Sequence, residues 1–134
     1  MNNQKNIVLC GVGGQGTVLA SKLLAAAAMS KDIPVMSAET IGMAQRGGSV
    51  FSHLRMGDNL YSPMIETGTA DLIIGFEPGE TVRMLPYLKD HGHIVVSTRA
   101  VKPVTATLSG SDYDAPQMLE YLKAAVPNLT LVNA

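Results

Sequence analysis

The segment that most constrains the fold is residues 11–16, GVGGQG, which follows the apolar run IVLC of residues 7–10. An Ala- and Leu-rich stretch without Pro or Gly follows it, and this stretch predicts a helix over residues 15–31. Glycines at this spacing permit a tight turn and let a backbone approach a phosphate without a Cβ in the way. The N-terminus of the helix then offers unpaired N–H groups to an anion. The chain therefore predicts a buried strand, a glycine turn and a helix in that order.

Apolar residues recur near one face of this first helix. They are Val18, Leu19, Leu23, Ala26 and Ala27, while Lys22 and Ser30 fall off that face. Such a stripe is typical of a helix that packs on a sheet through its apolar side.

The rest of the chain repeats the pattern of strand and helix. Strands are predicted over residues 34–38, 50–56, 71–76, 94–97 and 129–132, and helices over residues 80–88 and 115–125. The turn residues 57–59, followed by 60–62, predict a hairpin with strand 50–56. We therefore expect one α/β domain over residues 1–134. Its predicted architecture is Rossmann-like, with a mostly parallel sheet, helices on both faces and a β-hairpin insertion.

Composition excludes several classes of protein. Ten basic residues balance eleven acidic ones with no long run of either sign, which argues against nucleic acid or an anionic membrane as a partner. No stretch approaches the roughly 18 apolar residues of a membrane span, and the polar residues 1–6 do not resemble a signal peptide. The one cysteine, Cys10, cannot form an internal disulfide or supply the ligands of an iron–sulfur cluster. The expected location is the cytoplasm.

The glycine turn alone leaves two interpretations open. It is either a tight turn without a ligand or a phosphate-binding loop. A dinucleotide site would also require an acidic residue about 20 positions further on, at the end of the second strand. Glu39 lies 23 residues after Gly16, so a stand-alone NAD- or FAD-binding protein is an alternative.

The second distinctive segment is residues 42–49, GMAQRGGS, and seven of the thirteen glycines lie in it or in residues 11–16. A guanidinium group between glycines can present a planar, charged fork to a carboxylate or phosphate. The other interpretation is a glycine turn that leads into the hairpin, with Arg46 in solvent. A third possibility for the whole chain is a pure interaction module. It predicts an exposed apolar patch around Val50, Leu54 and Met56.

Four segments together resemble a known family. They are GVGGQG at 11–16, GMAQRGGS at 42–49, YSP at 61–63 and DLIIGFEPGE at 71–80, in this order. The chain resembles the gamma-type subunit or domain of the 2-oxoacid:ferredoxin oxidoreductases over nearly its whole length. The resemblance is strongest to the branch that acts on indolepyruvate. The segments MAQRGG and GFEP are far more specific than the glycine turn.

The resemblance implies a subunit that is inactive alone and belongs to an enzyme that oxidatively decarboxylates a 2-oxo acid to an acyl-CoA. Aryl pyruvates such as indolepyruvate are favoured over pyruvate, 2-oxoglutarate and branched-chain oxo acids. Thiamine diphosphate, magnesium and iron–sulfur clusters belong to partner subunits, ferredoxin accepts the electrons, and coenzyme A is the candidate ligand of this chain. By resemblance, the phosphate-loop residues are Gly11, Gly13, Gly14, Gln15 and Gly16, and the second ligand arm is Arg46, Gly47 and Gly48.

Members of the family usually extend several tens of residues beyond the segment that matches 129–134. The resemblance therefore implies a C-terminally incomplete domain.

The remaining reactive side chains are expected to have structural roles. Cys10 is expected to be an inert core thiol, His91 and His93 to be surface residues, and His53 to be a packing or interface residue. Glu77 and Glu80 follow the 71–76 strand and are expected either to line a cleft or to cap the next helix.

Overall fold

A computed structural model of the chain describes residues 4–12, 16–41, 49–99 and 115–133. Within these residues the strands are β1 (Lys5–Val12), β2 (Val35–Ile41), β3 (Ser49–Met56), β4 (Ala70–Gly75), β5 (Leu88–Ser97) and β6 (Asn128–Val132). The helices are α1 (Thr17–Ser30), α2 (Pro78–Arg83) and α3 (Ala115–Ala125), with a 3₁₀ turn at Leu85–Tyr87 between α2 and β5. The α/β class is confirmed. Pro86 lies in the 3₁₀ turn, which explains why the helix predicted over 80–88 ends early.

The six strands form one mixed sheet in the order β2-β3-β1-β4-β5-β6. β1, β4, β5 and β6 pair in parallel, whereas β3 is antiparallel to both β1 and β2. Among the described strands, β3 therefore alone runs against the other five. The sheet is mostly parallel, as predicted, and β3 separates β1 from β2.

The hairpin was placed wrongly by the sequence pattern. Gly57 and Asn59 do make a turn with positive φ, but residues 60–62 form no strand. The hairpin consists instead of β2 and β3, paired from Val35 opposite Met56 to Ile41 opposite Val50. Both edges of β3 are occupied, by β1 and β2, so no hydrogen-bonding edge is left for residues 60–62.

The turn predicted at His91-Gly92 is in fact an irregularity inside β5. His91 has a φ of 62°, and the pairing register of β5 with β4 shifts between Ala70 and Leu72. β5 consequently begins at Leu88, six residues before the predicted start at residue 94.

One side of the sheet is covered by α2 and α3. The apolar cluster on this side joins alternate residues of the central strands to those helices and comprises Val8, Cys10, Ile65, Ala70, Ile73, Met84, Ile94, Val96, Leu122 and Val126. Leu9 is fully buried yet lies outside this cluster, as expected because successive side chains of a strand point to opposite faces.

The orientation of α1 differs from the prediction. α1 packs on β1, β2 and β3. Its buried residues are the small ones, Thr17, Ser21 and Ala28, which recur at helical spacing. Leu19 and Leu23, predicted to face the sheet, are 61% and 62% exposed. Small side chains let the helix backbone approach the sheet closely, while Leu19, Leu23 and Met29 point outward.

Candidate functional site

The strand ends that flank the two glycine-rich segments lie at the same edge of the sheet. β1 ends at Val12, directly before residues 13–15, and β3 begins at Ser49, directly after residues 42–48. Val12 and Ser49 are register partners in the β1–β3 ladder. In the strand order, β2 and β3 lie on one side of β1, and β4 lies on its other side. The carboxyl ends of β1 and β4 therefore form a topological switch point, which is where open α/β sheets bind ligands.

The start of α1 has the properties of an anion-binding helix end. Gly16 is the N-cap residue with a φ of 89°, a left-handed conformation that favours glycine. It has no side chain with which to cap the helix, and the first turn contains no acidic residue. No side chain of the cap or the first turn therefore neutralises the positive end of the helix dipole at the first N–H groups. The Thr17 Oγ1 is buried and has no hydrogen-bond partner in the described part of the chain.

Side chains of α2 hold the end of the second glycine segment. Ser49 Oγ donates to Glu80 Oε1 at 2.9 Å, and Arg83 Nη1 donates to Ser49 Oγ at 3.0 Å. Arg83 also lies 3.5 Å from the same carboxylate oxygen, which makes an ion pair with one exposed and one buried member. This contact fixes Ser49, the first residue of β3, beside α2.

Glu77 caps the N-terminus of α2, which is one of the two roles expected from the sequence. Its Oε1 accepts from the backbone N–H of Glu80 at 3.0 Å, and its side chain is fully buried. Thr81 Oγ1 donates to the Glu77 carbonyl at 2.8 Å. A Cβ added at Gly75 would lie 1.7 Å from that Thr81 oxygen, so glycine is required for α2 to approach β4 this closely.

Cys10 lies beneath these groups and is not a nucleophile. Burial raises the pKa of its thiol to about 12, while the hydrogen bond with the Thr81 hydroxyl lowers it and the charges of Glu80 and Glu77 raise it. Its Sγ lies 3.9 Å from Thr81 Oγ1. The thiol therefore stays protonated and packs as a small apolar group.

The position of Glu39 removes support from the dinucleotide alternative. Glu39 lies within β2, which continues to Ile41, and it pairs with Ser52 of β3. Because β3 lies between β1 and β2, Glu39 is two strand spacings, about 9.6 Å, from the strand that leads into the glycine turn. In a dinucleotide fold these two strands are neighbours.

The predicted site residues divide between described and undescribed positions. Gly11 lies inside β1 opposite Val50, and Gly16 begins α1. The others lie outside the described residues, and their ligand roles stay predictions: Gly13, Gly14, Gln15, Arg46, Gly47 and Gly48. Sequence reasoning missed Thr17, Thr81 and Arg83. The sequence does contain a signal for Arg83, because it lies three residues after Glu80 on a predicted helix, which is the spacing of an ion pair.

A second concave region, of about 560 Å³, lies at the opposite edge of the sheet. Arg55 crosses it and donates to Asn6 Oδ1 at 3.0 Å, to Gln4 Oε1 at 3.2 Å and to the Ser62 carbonyl at 2.9 Å. Asp71 accepts there from Lys89 and from the Asn6 backbone. Its polar groups largely satisfy one another, which indicates that they tie the strand ends together.

Comparison with known proteins identifies the family. Residues 6–133 match the family described as "Pyruvate ferredoxin/flavodoxin oxidoreductase". The chain belongs to this family. Its members include the indolepyruvate oxidoreductase subunit IorB of Archaeoglobus fulgidus, which is 40% identical over 130 residues. That match covers 96% of this chain and 64% of the relative.

More distant members of the oxidoreductase family agree in sequence or in fold. The pyruvate/ketoisovalerate oxidoreductases common subunit gamma of Thermococcus kodakarensis is 29% identical, over 92% of this chain and 61% of its own length. The Thermotoga maritima pyruvate oxidoreductase subunit PORC has the same fold, with a TM-score of 0.65 at 19% identity. That likeness covers 98% of this chain and 62% of the subunit. The chain thus spans less than two thirds of these curated relatives.

The described residues of this oxidoreductase-family chain contain no helix long and apolar enough to cross a membrane. In the same part of the chain, no three His, Cys, Asp or Glu side chains are grouped so that they could hold a metal ion.

Proposed function

We propose that the chain is a subunit of a 2-oxoacid:ferredoxin oxidoreductase, in which the glycine turn and the start of α1 bind the diphosphate of coenzyme A. The subunit is inactive alone. Enzymes of this family use thiamine diphosphate and iron–sulfur clusters, and the proposal assigns these groups to partner subunits in the cytoplasm. The single cysteine of this chain is buried and protonated, which supports that assignment.

One observation carries the proposal. Val12 and Ser49, which flank the two glycine-rich segments, are paired beside the topological switch point of the sheet, and there α1 begins without a side-chain cap. A phosphate at this position would accept from the free N–H groups of the first turn. Residues of the second segment would reach the same ligand, since Val12 and Ser49 are register partners.

Among the described residues, the positive group available to a diphosphate at this edge is the N-terminus of α1. Glu77 uses a carboxylate oxygen to cap α2, and Glu80 is bound to Ser49 and paired with Arg83. Because Arg83 is already paired with Glu80, the proposal depends on the dipole and N–H groups of α1 to attract the ligand. When bound, coenzyme A supplies the thiol that accepts the acyl group. The residues of this chain would hold and orient its diphosphate.

The substrate class of the proposed enzyme follows its relatives. The chain is 40% identical to a subunit named for indolepyruvate and 29% identical to one named for pyruvate and ketoisovalerate. We therefore favour an aryl pyruvate, with the oxo-acid pocket on the thiamine-bearing partner. Solution spectra of the assembled enzyme under a panel of 2-oxo acids would rank the substrates by the rate of cluster reduction.

A matched pair of glycines tests the ligand assignment. Gly16 and Gly68 have φ values of 89° and 78°, and a Cβ at either position meets nothing within 4 Å. Alanine at either position therefore costs only backbone strain, about 1–2 kcal/mol. Gly16 lies at the proposed site, whereas Gly68 precedes β4 at the opposite edge of the sheet. In the assembled enzyme, Gly16→Ala should raise the KM for coenzyme A about tenfold, equivalent to about 1.4 kcal/mol.

The control, Gly68→Ala, should lower the melting temperature similarly and leave the KM for coenzyme A unchanged. A bulky residue at Gly13, and Arg46→Ala, should raise the same KM. Equal KM values in Gly16→Ala, Arg46→Ala and the unaltered enzyme would refute coenzyme A binding at this edge. A second measurement separates that failure from a failure of the subunit assignment. If the oxo acid reduces the iron–sulfur clusters of the assembled enzyme without coenzyme A, the subunit assignment stands and only the ligand assignment fails.

A further inference from the structure

Thr17, the first residue of α1, has a buried hydroxyl group without a hydrogen-bond partner. The residue is 3% exposed, and in the described part of the chain its Oγ1 neither donates nor accepts a hydrogen bond. Such a hydroxyl costs free energy, because it has given up its hydrogen bonds to water on folding. Native proteins keep few groups of this kind, and those that remain call for a partner outside the polypeptide.

The position of Thr17 explains why α1 itself provides no partner. Within a helix, a Thr hydroxyl can bond the backbone carbonyl three or four residues earlier. Thr17 has no such carbonyl within α1, since Gly16 before it is the N-cap residue. The first backbone hydrogen bond of the helix joins the Ala20 N–H to the Gly16 carbonyl at 2.8 Å. Thr17 Oγ1 therefore belongs to the turn whose N–H groups, those of residues 17–19, precede this bond.

The side chain of Thr17 is directed toward the proposed ligand position. In an α-helix the Cα–Cβ bond tilts toward the N-terminus, so the side chain of the first residue extends back past the start of the helix. Thr17 also belongs to the buried stripe through which α1 packs on the sheet. The hydroxyl therefore lies between the start of α1 and the carboxyl edge of the sheet, where Val12 and Ser49 are paired.

Two other buried polar atoms among the described residues also lack a partner, Ser52 Oγ and His53 Nε2. Ser52 shares the α1 side of the sheet, because it lies opposite Leu9, which is outside the apolar cluster beneath α2 and α3. It is three residues inside β3 from Ser49, about 10 Å from the carboxyl edge. His53 follows it in the strand and faces the other side. Of the three atoms, Thr17 Oγ1 is the one at a helix start.

We propose that Thr17 is a ligand-binding residue whose hydroxyl donates a hydrogen bond to a phosphate oxygen held at the start of α1. This inference rests on the proposed function and adds a side chain to the backbone groups that bind the diphosphate of coenzyme A. A phosphate oxygen is charged and accepts several hydrogen bonds, so the hydroxyl and the N–H groups of the first turn can bind it together. The burial of Oγ1 keeps water from competing for this bond.

The test measures the dissociation constant and the KM of the assembled enzyme for coenzyme A. Thr17→Val replaces the hydroxyl with a methyl group at nearly constant shape. It should raise both constants about tenfold or more, the range expected for a hydrogen bond to a charged group, and it should change the KM more than kcat. Thr17→Ser keeps the hydroxyl and should restore binding. The melting temperature of the unliganded Thr17→Val enzyme should not fall, because the lost hydroxyl had no partner.

Ser52→Ala is the matched control. It removes the other buried hydroxyl without a partner on the α1 side of the sheet, away from the carboxyl edge. It should leave the dissociation constant and the KM for coenzyme A unchanged and should not lower the melting temperature.

Three results would overturn the inference. The first is an unchanged dissociation constant in Thr17→Val. If Gly16→Ala still raises that constant, the proposed function stands and the role of Thr17 alone fails, whereas unchanged constants in both variants reject both. The second is a Thr17→Val enzyme that melts markedly lower without ligand, or does not fold, and is restored by Thr17→Ser. The hydroxyl would then have a structural partner such as a buried water. The third is an equal loss of affinity in Ser52→Ala, because the cause would then be altered packing of α1 on the sheet.

Discussion

Gly75 offers the sharpest test of how the edge of the sheet is built. A Cβ at this position would lie 1.7 Å from Thr81 Oγ1, 2.9 Å from Thr81 Cβ and 3.0 Å from Thr81 Cγ2. An ordinary contact needs about 3.5 Å, so Gly75→Ala must push α2 away from β4 or rotate Thr81. Rotation breaks the hydrogen bond from Thr81 to the Glu77 carbonyl. Overpacking in a core costs about 1–3 kcal/mol, and the lost bond about 1 kcal/mol.

We therefore expect Gly75→Ala to lower the free energy of unfolding by about 3 kcal/mol. The chain has four tyrosines and no tryptophan, so far-UV circular dichroism in urea is the suitable assay. For a domain of this size, the melting temperature should fall by about 10 °C. Gly68→Ala is the control for backbone strain without contact, and it should cost about 1–2 kcal/mol.

The second variant separates the clash from other effects. Thr81→Ala alone should cost about 1 kcal/mol, but it removes two of the three atoms that the new Cβ would meet. The double variant Gly75→Ala/Thr81→Ala should then be more stable than Gly75→Ala alone by about 1 kcal/mol or more. Equal stability of the two, or a Gly75→Ala variant within 0.5 kcal/mol of the unaltered chain on the scale of surface substitutions, would refute the close packing of α2 on β4.

Two titratable groups give further predictions. Burial lowers the pKa of His53, whose Nδ1 accepts from the Ile65 backbone, so the unfolded chain takes up a proton first. The free energy of unfolding should fall by at most about 1.4 kcal/mol per pH unit as pH decreases below 6.5, and His53→Phe should flatten this slope in urea titrations from pH 7.5 to 5. The pKa of Cys10 is raised to about 12, so iodoacetamide at pH 8 should label the folded chain far more slowly than the chain in urea. Rapid labelling of the folded chain would show that the thiol is accessible and ionised.

Much of the fold could be predicted from the sequence. The strands predicted at 7–10 and 71–76 are apolar runs that overlap β1 and β4, and the helix at 115–125 is observed with the predicted bounds. Such runs depend on local burial, which a single sequence records well. The pairing of β3 could not be read in this way. Which strand lies beside β1 depends on residues far apart in the chain, and the turn at Gly57 suggested a local partner instead.

The orientation of α1 was wrong for a related reason. Periodicity shows that Leu19 and Leu23 share a face but not what that face contacts. Thr17, Ser21 and Ala28 form an equally regular stripe of small residues, and close packing against the sheet selects it. An apolar stripe that would ordinarily mark a core therefore lies on the surface of this chain.

At the candidate site, the sequence identified two glycine-rich segments as ligand candidates. The structure adds that the residues flanking them, Val12 and Ser49, are register partners, and this pairing follows from the unpredicted place of β3. Glu77 and Glu80 were assigned correctly to the end of the 71–76 strand. Their contacts with Thr81 and Arg83 depend on the angle between α2 and β4, which no spacing in the sequence encodes.

The β2–β3 ladder has a consequence for how this family can diversify. Ile41 and Val50 are paired, so both ends of residues 42–48 are fixed by the sheet and the segment is closed whatever its own sequence. Doubling the length of such a closed loop costs only about 0.6 kcal/mol of chain entropy. Insertions, deletions and whole-segment exchanges at this position should therefore leave the scaffold folded. The segment can be transplanted between relatives as a cassette, which makes it a practical starting point for redesigning ligand preference.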